Sequence, residues 1–439
     1  MFAYNLRIAL KSLRRTPVLS SLLVAGIALG IAVATAFVAA YHVFSRDPIP
    51  HKSSQLRYVQ LDAWNPERPW DDEDPKEPPD QLTYRDAMAM MEAKGPVRRT
   101  AAFKGNLTVH PANSEERPFR AITRLAFADF FGLFDVPFQY GGPWGKDADA
   151  RPEAVVVIDK PTNEKLFGGE NSVGRRLRVE DREFTIVGVL DDWFPRPKYY
   201  DPLNDSFETP EALYLPFRWA EETEIRSAGN TSGWTNTGPS YQELLDSEYT
   251  WVQFWVELPD RQSEEILESW IAAYIGEQKK LGRFGRPLNY RLRNVNEWLE
   301  FQQVVPQSSK VMLLISLLFL LVCAVNLIGI LLGKFLARAP EVGVRRALGA
   351  SRGQVFLQHL LECEVVGVLG GVLGVLLSIV VLKAVETIVG FDDGPDVLTL
   401  DPLMVLAGFG LALGAGLIAG FYPAWRICRV APAAHLKQQ

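Results

Sequence analysis

Four stretches of this chain are almost free of charge, and each is long. They cover residues 18–44, 311–332, 357–382 and 403–421, with a long polar region between the first two. A bilayer core of about 30 Å needs roughly 20 apolar residues at a helical rise of about 1.5 Å. Each stretch reaches that length, so the pattern predicts four membrane-spanning helices, placed at 18–44, 310–333, 357–385 and 403–425. A buried core helix or a cleaved leader is the competing reading for the first. Leader cores are only about 7–15 residues long, whereas this stretch runs for 27. Three further spans then argue against a soluble protein.

Between residues 45 and 305 the pattern changes to short alternations and turn signals, which predicts an α+β domain. Strands are expected at 56–61, 97–109, 154–158, 176–179, 184–189, 251–258 and 288–295, with a helical stretch at 82–91. A helix is expected where Ile266, Leu267, Trp270, Ile271, Tyr274 and Ile275 share one face. Residues 62–80 are rich in Pro and acid, and 193–250 in aromatics, Pro, Asn, Ser and Thr; both read as loops. Strand, helix and strand at both ends of the domain suggest a βαβ-type unit built from its two flanks. A small antiparallel β unit, roughly 145–250, is then inserted between them. Residues 1–17 alternate basic residues with Phe2, Leu6, Ala9, Leu10 and Leu13, an amphipathic helix for the inner leaflet or simply a positive flank.

Charge gives the expected orientation. Arg7, Lys11, Arg14 and Arg15 precede the first span, and Lys334, Arg338, Arg345, Arg346 and Arg352 lie between the second and third. Arg426, Arg429 and Lys437 follow the fourth. The link between the third and fourth spans holds Glu386, Asp392, Asp393, Asp396 and Asp401 against Lys383. Lys and Arg beside spans stay cytoplasmic. Both termini, the 334–356 loop and the 426–439 tail are therefore expected inside a bacterial inner membrane, with 45–305 and the short 386–402 loop outside. Residues 45–305 carry 32 basic and 44 acidic side chains, a balance of −12, against +6 for the remainder.

Composition narrows the chemistry. Cys323, Cys363 and Cys428 all fall in or beside spans, so no disulfide framework is expected in the outer domain. His51 and His110 lie outside without Cys or carboxylate at ligand spacing, and no metal is expected. The sequence contains no G-x-x-x-x-G-K-[ST], H-E-x-x-H or C-x-x-C. A non-catalytic membrane subunit follows, binding no cofactor and no nucleic acid.

The most informative segment is E-V-G-V-R-R-A-L-G-A-S-R at 341–352. It predicts a short helix ending at Gly349, with Ser351 suited to cap the next helix. Such a helix either docks in a groove of a soluble partner or only fixes topology. Together with Gln358, Leu361, Glu362 and the GVLGGVLG of 367–374, this segment resembles the C-terminal signature of MacB/FtsX-type ABC permeases. Residues 153–190 are similar to that family's outer-domain pattern of strand, L-F-G, N-x-V-G-R, strand and G-V. Residues 420–436 (GFYPAWRICRVAPAAHL) are similar to its terminal A-G-x-Y-P-A-x-x-A.

The resemblance implies a homo- or heterodimer of permease chains, served by a dimer of ABC ATPase subunits that hold ATP and Mg. Glu341, Gly343, Arg345, Arg346, Ala347, Gly349 and Ser351 would form the element coupling to that ATPase. Gly370, Gly371 and Gly374 would allow close helix packing. ATP turnover would move the outer domains, a process termed mechanotransmission, to export or extract a peptide, antibiotic or lipidated substrate, in some cases with a periplasmic adaptor. The alternative is an FtsX-like regulator of a cell-wall hydrolase, which usually has a smaller outer domain. Ala339 and Pro340 depart from the charged pair that often precedes the motif. No substrate-binding residue is evident, although Trp64, Trp70, Trp193, Trp219, Trp234, Trp251 and Trp255 could line an apolar face.

Overall fold

The computed structural model describes residues 2–111, 117–389 and 401–429. The chain opens with helix α1 (Phe2–Arg15) and α2 (Pro17–Ser45), which part at Thr16 just before Pro17. Strands β1 (Leu56–Leu61) and β2 (Leu82–Thr83) lead to α3 (Tyr84–Met90) and the long β3 (Arg98–His110). β4 (Phe119–Ala126), α4 (Asp129–Leu133), β5 (Phe138–Gly141) and the single turn α5 (Asp147–Ala150) follow. Then come β6 (Val155–Ile158), α6 (Lys160–Phe167), β7 (Arg176–Val179) and β8 (Arg182–Leu190). β9 (Leu213–Pro216) and two short helices, α7 (Trp219–Thr223) and α8 (Tyr241–Leu245), precede β10 (Thr250–Glu257). After α9 (Arg261–Lys280), β11 (Tyr290–Arg293) and α10 (Val295–Phe301), four helices close the chain: α11 (Gln307–Leu336), α12 (Ala339–Ala347), α13 (Arg352–Val389) and α14 (Pro402–Cys428). Two units result, one from residues 1–45 and 305–439, the other from 46–304.

In the helical unit, α2, α11, α13 and α14 are long and apolar enough to cross a membrane. α11 shows why they read as spans and not as core helices. Leu320, Ala324, Leu327 and Leu331 are buried at spacings of three and four, while Val311, Leu314, Ile315, Leu318 and Val322 stay exposed. A helix with apolar side chains all round has its outer face in hydrocarbon. The glycines of α13 let the helices approach. A Cβ on Gly370 or Gly374 would sit 2.6 or 2.8 Å from Ile27 or Ile31 of α2, and one on Gly371 would sit 2.7 Å from Ala412 of α14. Small residues replace the missing hydrophobic drive with close van der Waals packing in a bilayer. α1 has Ala9, Ser12 and Leu13 buried and packs against α13, so this face meets protein.

The second unit is built on one sheet in the order β11-β1-β10-β3-β4-β9-β6-β8-β5, with β2 beside β10 and β7 bridging β3 and β8. β1 and β3 run parallel with β10 between them, and β10 and β11 run parallel with β1 between them. Each pair is joined through a helix, α3 and α9 respectively, giving two interleaved split βαβ units from the two flanks. Both helices cover one face, where Ala87, Met90, Leu267, Ile271 and Ile275 join Val59, Leu61 and Phe103. The opposite face is covered by α4, α10 and the 193–207 segment, around Tyr58, Phe130, Tyr200, Trp255 and Trp298. Tyr58 and Trp298 stack with centroids 3.8 Å apart.

Three sequence expectations change here. The strands of 145–250 extend the flanking sheet and are mixed, not purely antiparallel: β7 pairs with β8 and β9 with β6 in antiparallel fashion, but β6 and β8 pair in parallel through a connection that includes α6. α6 is held open at its start by Asp159, whose carboxylate accepts from Thr162 N–H at 2.9 Å, and ends at Gly168 with φ +68°. Residues 193–250 are not all loop: β9 lies inside the sheet, parallel to β4 and antiparallel to β6. All four of its residues are buried, so the two-residue alternation that marks a half-exposed strand is absent. Finally, β4 and α10 carried no recognised signal, although α10 begins with a reciprocal cap between Asn294 and Glu297.

Candidate functional site

α12 is built to be held on one side and to present the other. Pro340 sits in its first turn, where a missing N–H costs nothing. Ala339, Val342 and Gly343 are buried, the first two in the core shared with Phe335 and Val355. Glu341, Val344, Ala347 and Leu348 face outward, with Leu348 84 % exposed. The helix stops at Gly349, where φ is +102°, a backbone state that favours glycine. Ser351 then caps α13: its hydroxyl accepts from Gln354 N–H at 3.2 Å, and its own N–H donates to Gln354 Oε1 at 3.0 Å.

The arginines of this segment turn inward. Arg345 donates to Glu341 at 2.8 Å and to Gln358 Oε1 at 3.1 Å. Arg346 donates to the backbone carbonyl of Cys428 at 3.1 Å, satisfying the C-terminal end of α14. Sequence reasoning picked out the charged positions and passed over Val344 and Leu348. These two are the large apolar side chains that α12 leaves uncovered, and their i, i+4 spacing was a readable signal.

Beside α12 lies a buried ion cluster. Glu362 of α13 accepts from the Ser12 hydroxyl, and Lys334 Nζ lies 2.7 Å from its Oε1 as an ion pair without hydrogen-bond alignment. Arg338 reaches the same oxygen at 3.7 Å and also donates to the Ser12 hydroxyl. One carboxylate thus ties α1, α11 and the start of α12 to α13. At the other end of the bundle, Asp401 caps α14 by accepting from Met404 N–H at 2.8 Å and lies 3.7 Å from His42. Asp392, Asp393, Asp396, Lys437 and the 430–436 part of the terminal motif lie outside the described residues.

The sheet unit does not gather its tryptophans on one face. Trp251 and Trp255 are buried on opposite sides of β10, and Trp193 stacks on Tyr200. Trp64 and Trp70 pack edge to face within the 62–80 insert. Trp219 borders a groove of about 570 Å³ with Leu107, Phe184 and Ile225, where Arg182 lies over its ring at 5.1 Å. The 62–80 insert and the start of the 193–250 segment, both read as loops from the sequence, are firmly anchored. Arg124 is fully buried and bonded to Asp201, Glu211 and Gln253, which fixes 198–211 against β4 and β10. Arg293 and Arg286 hold the insert through Glu77 at 2.7 Å and Asp62 at 3.0 Å.

Four apolar spans, a mixed-sheet domain after the first, and a short amphipathic helix between the second and third define a membrane permease component. The sequence profile of the MacB-like periplasmic core domain matches residues 20–274, and that of the FtsX-like permease C-terminal region matches 313–432. The chain therefore belongs to the MacB/FtsX family of ABC-transporter permeases, multi-pass proteins of the inner membrane. It is 23 % identical over 438 residues to the macrolide export ATP-binding/permease protein MacB of an Azoarcus species, covering 99 % of this chain and 59 % of the relative. It is 25 % identical over 343 residues to MacB of Syntrophobacter fumaroxidans, covering 71 % and 46 %. The pyoverdine export ATP-binding/permease protein PvdT of Pseudomonas aeruginosa is 24 % identical, covering 71 % and 41 %. The chain thus spans about half the length of these relatives. Among solved structures, the periplasmic region of MacB from Actinobacillus actinomycetemcomitans aligns at 16 % identity with a TM-score of 0.36, over 56 % of this chain and 92 % of that one.

Proposed function

We propose that this chain is the permease subunit of an ABC transporter that couples ATP hydrolysis by a separate ATPase dimer to movements of its sheet domain. The proposed topology puts α1, α12 and both termini in the cytoplasm and the sheet domain outside, following the placement of Lys and Arg. Two permease chains pair, and ATP with Mg is held by the ATPase subunits. The coupled work is export or extraction of a peptide, antibiotic or lipidated molecule. The observation that carries this reading is α12, a helix clamped through Val342 and Gly343 while Val344, Ala347 and Leu348 stand exposed at the basic end of the bundle.

The test is co-purification with the cognate ATPase in detergent. Val344→Asp/Leu348→Asp alters only exposed side chains, so the chain should fold and insert normally yet lose the ATPase. Arg345→Glu/Arg346→Glu should lose it too, with added instability because both arginines have internal partners. Retention of the ATPase by the Val344/Leu348 variant would remove α12 from the coupling role.

A further inference from the structure

The helical unit contains a cavity of about 190 Å³ between α1, α12 and α13 that docking on the outward face of α12 leaves unexplained. Lys11 and Arg15 line it from α1, Arg338 and Arg345 from the α12 segment, and Glu341 and Glu362 supply its carboxylates. Both carboxylates are already engaged. Glu362 is paired with Lys334 at 2.7 Å and bonded to Ser12, and Glu341 is paired with Arg345 at 2.8 Å. Lys11 and Arg15 are exposed and have no ion-pair partner among the described residues. Counting Lys334 behind the wall, five cations face two carboxylates in a concave, polar space.

The depth of this cavity is informative. Val18 and Leu22, one to two turns beyond Arg15, are 73 % and 59 % exposed, and Leu357 of α13 is 50 % exposed. Apolar surface of that kind on a membrane helix meets acyl chains, so the cavity lies where the hydrocarbon ends and the headgroups begin. Basic pockets between helices at that level recognise anionic lipid headgroups. We propose that this cavity binds the phosphate of an anionic phospholipid, with Lys11 and Arg15 as its direct ligands and Arg338 behind them. The lipid would join α1 to α12 and so brace the helix that meets the partner. The proposal rests on the four spans lying in a bilayer and not on the identity of any ATPase.

The experiment is native mass spectrometry of the full chain in detergent, titrated with phosphatidylglycerol, phosphatidylcholine or inorganic phosphate. Wild type should retain phosphatidylglycerol over phosphatidylcholine, and Lys11→Gln/Arg15→Gln should lower that retention about tenfold. Arg7→Gln, an exposed cation outside the cavity, should leave it unchanged, and the charge-keeping exchange Lys11→Arg/Arg15→Lys should preserve it. Thermal midpoints of all variants check that each is folded. Equal loss in Arg7→Gln would mean general surface attraction and would overturn the proposal. So would binding of inorganic phosphate without preference for phosphatidylglycerol, which would assign the cavity to a free anion. Loss of ATPase association in the double variant with lipid retention intact would assign the cations to the protein partner instead.

Discussion

Arg124 sits at the centre of a fully buried ion cluster in the sheet domain. Its guanidinium has no solvent contact and bonds Asp201 and Glu211 of the 198–211 segment and Gln253 of β10. Burial alone would push Glu211 upward, but Arg124 and then Lys198 outweigh it and hold the carboxyl at about 2. Removing one partner from such a cluster strands the others, at a cost of about 3–5 kcal/mol. Arg124→Met should therefore lower the thermal midpoint of the detergent-solubilised protein sharply. Arg124→Met/Asp201→Asn/Glu211→Gln should recover much of that loss, and a triple variant no better than the single would contradict the argument. None of this was legible in the sequence, since Asp201 and Glu211 lie 77 and 87 residues from Arg124. Chain position says nothing about such a meeting when the partners sit in a segment without periodicity.

Other carboxyls of the same domain shift the opposite way. Burial raises Asp80, Asp149 and Asp159 from 3.8 to about 6 each, against hydrogen bonds that favour the charge. A folded-state pKa above the unfolded one contributes stability fully below about pH 4, and that contribution disappears as pH rises through about 6. The thermal midpoint of the sheet domain should accordingly fall between about pH 4 and pH 6 because of these groups. Asp149 accepts from Ala128 N–H at 3.0 Å and Trp144 Nε1 at 3.1 Å, and an amide oxygen can do the same. Asp149→Asn should therefore flatten the pH dependence in that window with little change in fold, and an unchanged slope would refute the assignment.

At the scale of elements, the spans were the most legible feature, because a run of apolar residues without charge has one cheap home. The α13 glycines were legible as a stripe, and the structure gives them specific opposites: Gly370 and Gly374 against α2, Gly371 against α14. Gly374→Leu would drive a side chain into Ile31 and the backbone carbonyl of Ala28, the nearest at 2.8 and 2.9 Å. Overpacking of this kind costs about 1–3 kcal/mol. The variant should lose thermal stability in detergent, while Gly329→Leu on α11, whose Cβ meets nothing within 4 Å, should not. Equal effects would mean the stripe packs elsewhere. β9 marks the limit of pattern reading. A four-residue strand covered on both faces has no alternation, and its place is set by β4 and β6, whose own pairing is long-range.

For the whole molecule, the two charge regimes of the sequence coincide with the two units of the fold, since residues 46–304 hold the acidic excess and the helical unit the basic one. The interleaved βαβ units were legible because their strands and helices lie close together at each flank of the domain. The inserted strands were not, because their partners are fixed only when the whole sheet assembles. The mechanical claim belongs at this scale: ATP bound by partner subunits on one side of the membrane should move the sheet domains on the other. Its most direct test is a spin-label distance between Asp181→Cys positions, where the native side chain is fully exposed, on the two chains of the permease pair. Cys323, Cys363 and Cys428 would first be replaced, and the complex with its ATPase measured in lipid nanodiscs. Addition of a non-hydrolysable ATP analogue should shift the distance distribution relative to ADP, and Val344→Asp/Leu348→Asp should abolish the shift. Identical distributions in a complex that still hydrolyses ATP would contradict coupling of the ATPase to the sheet domain.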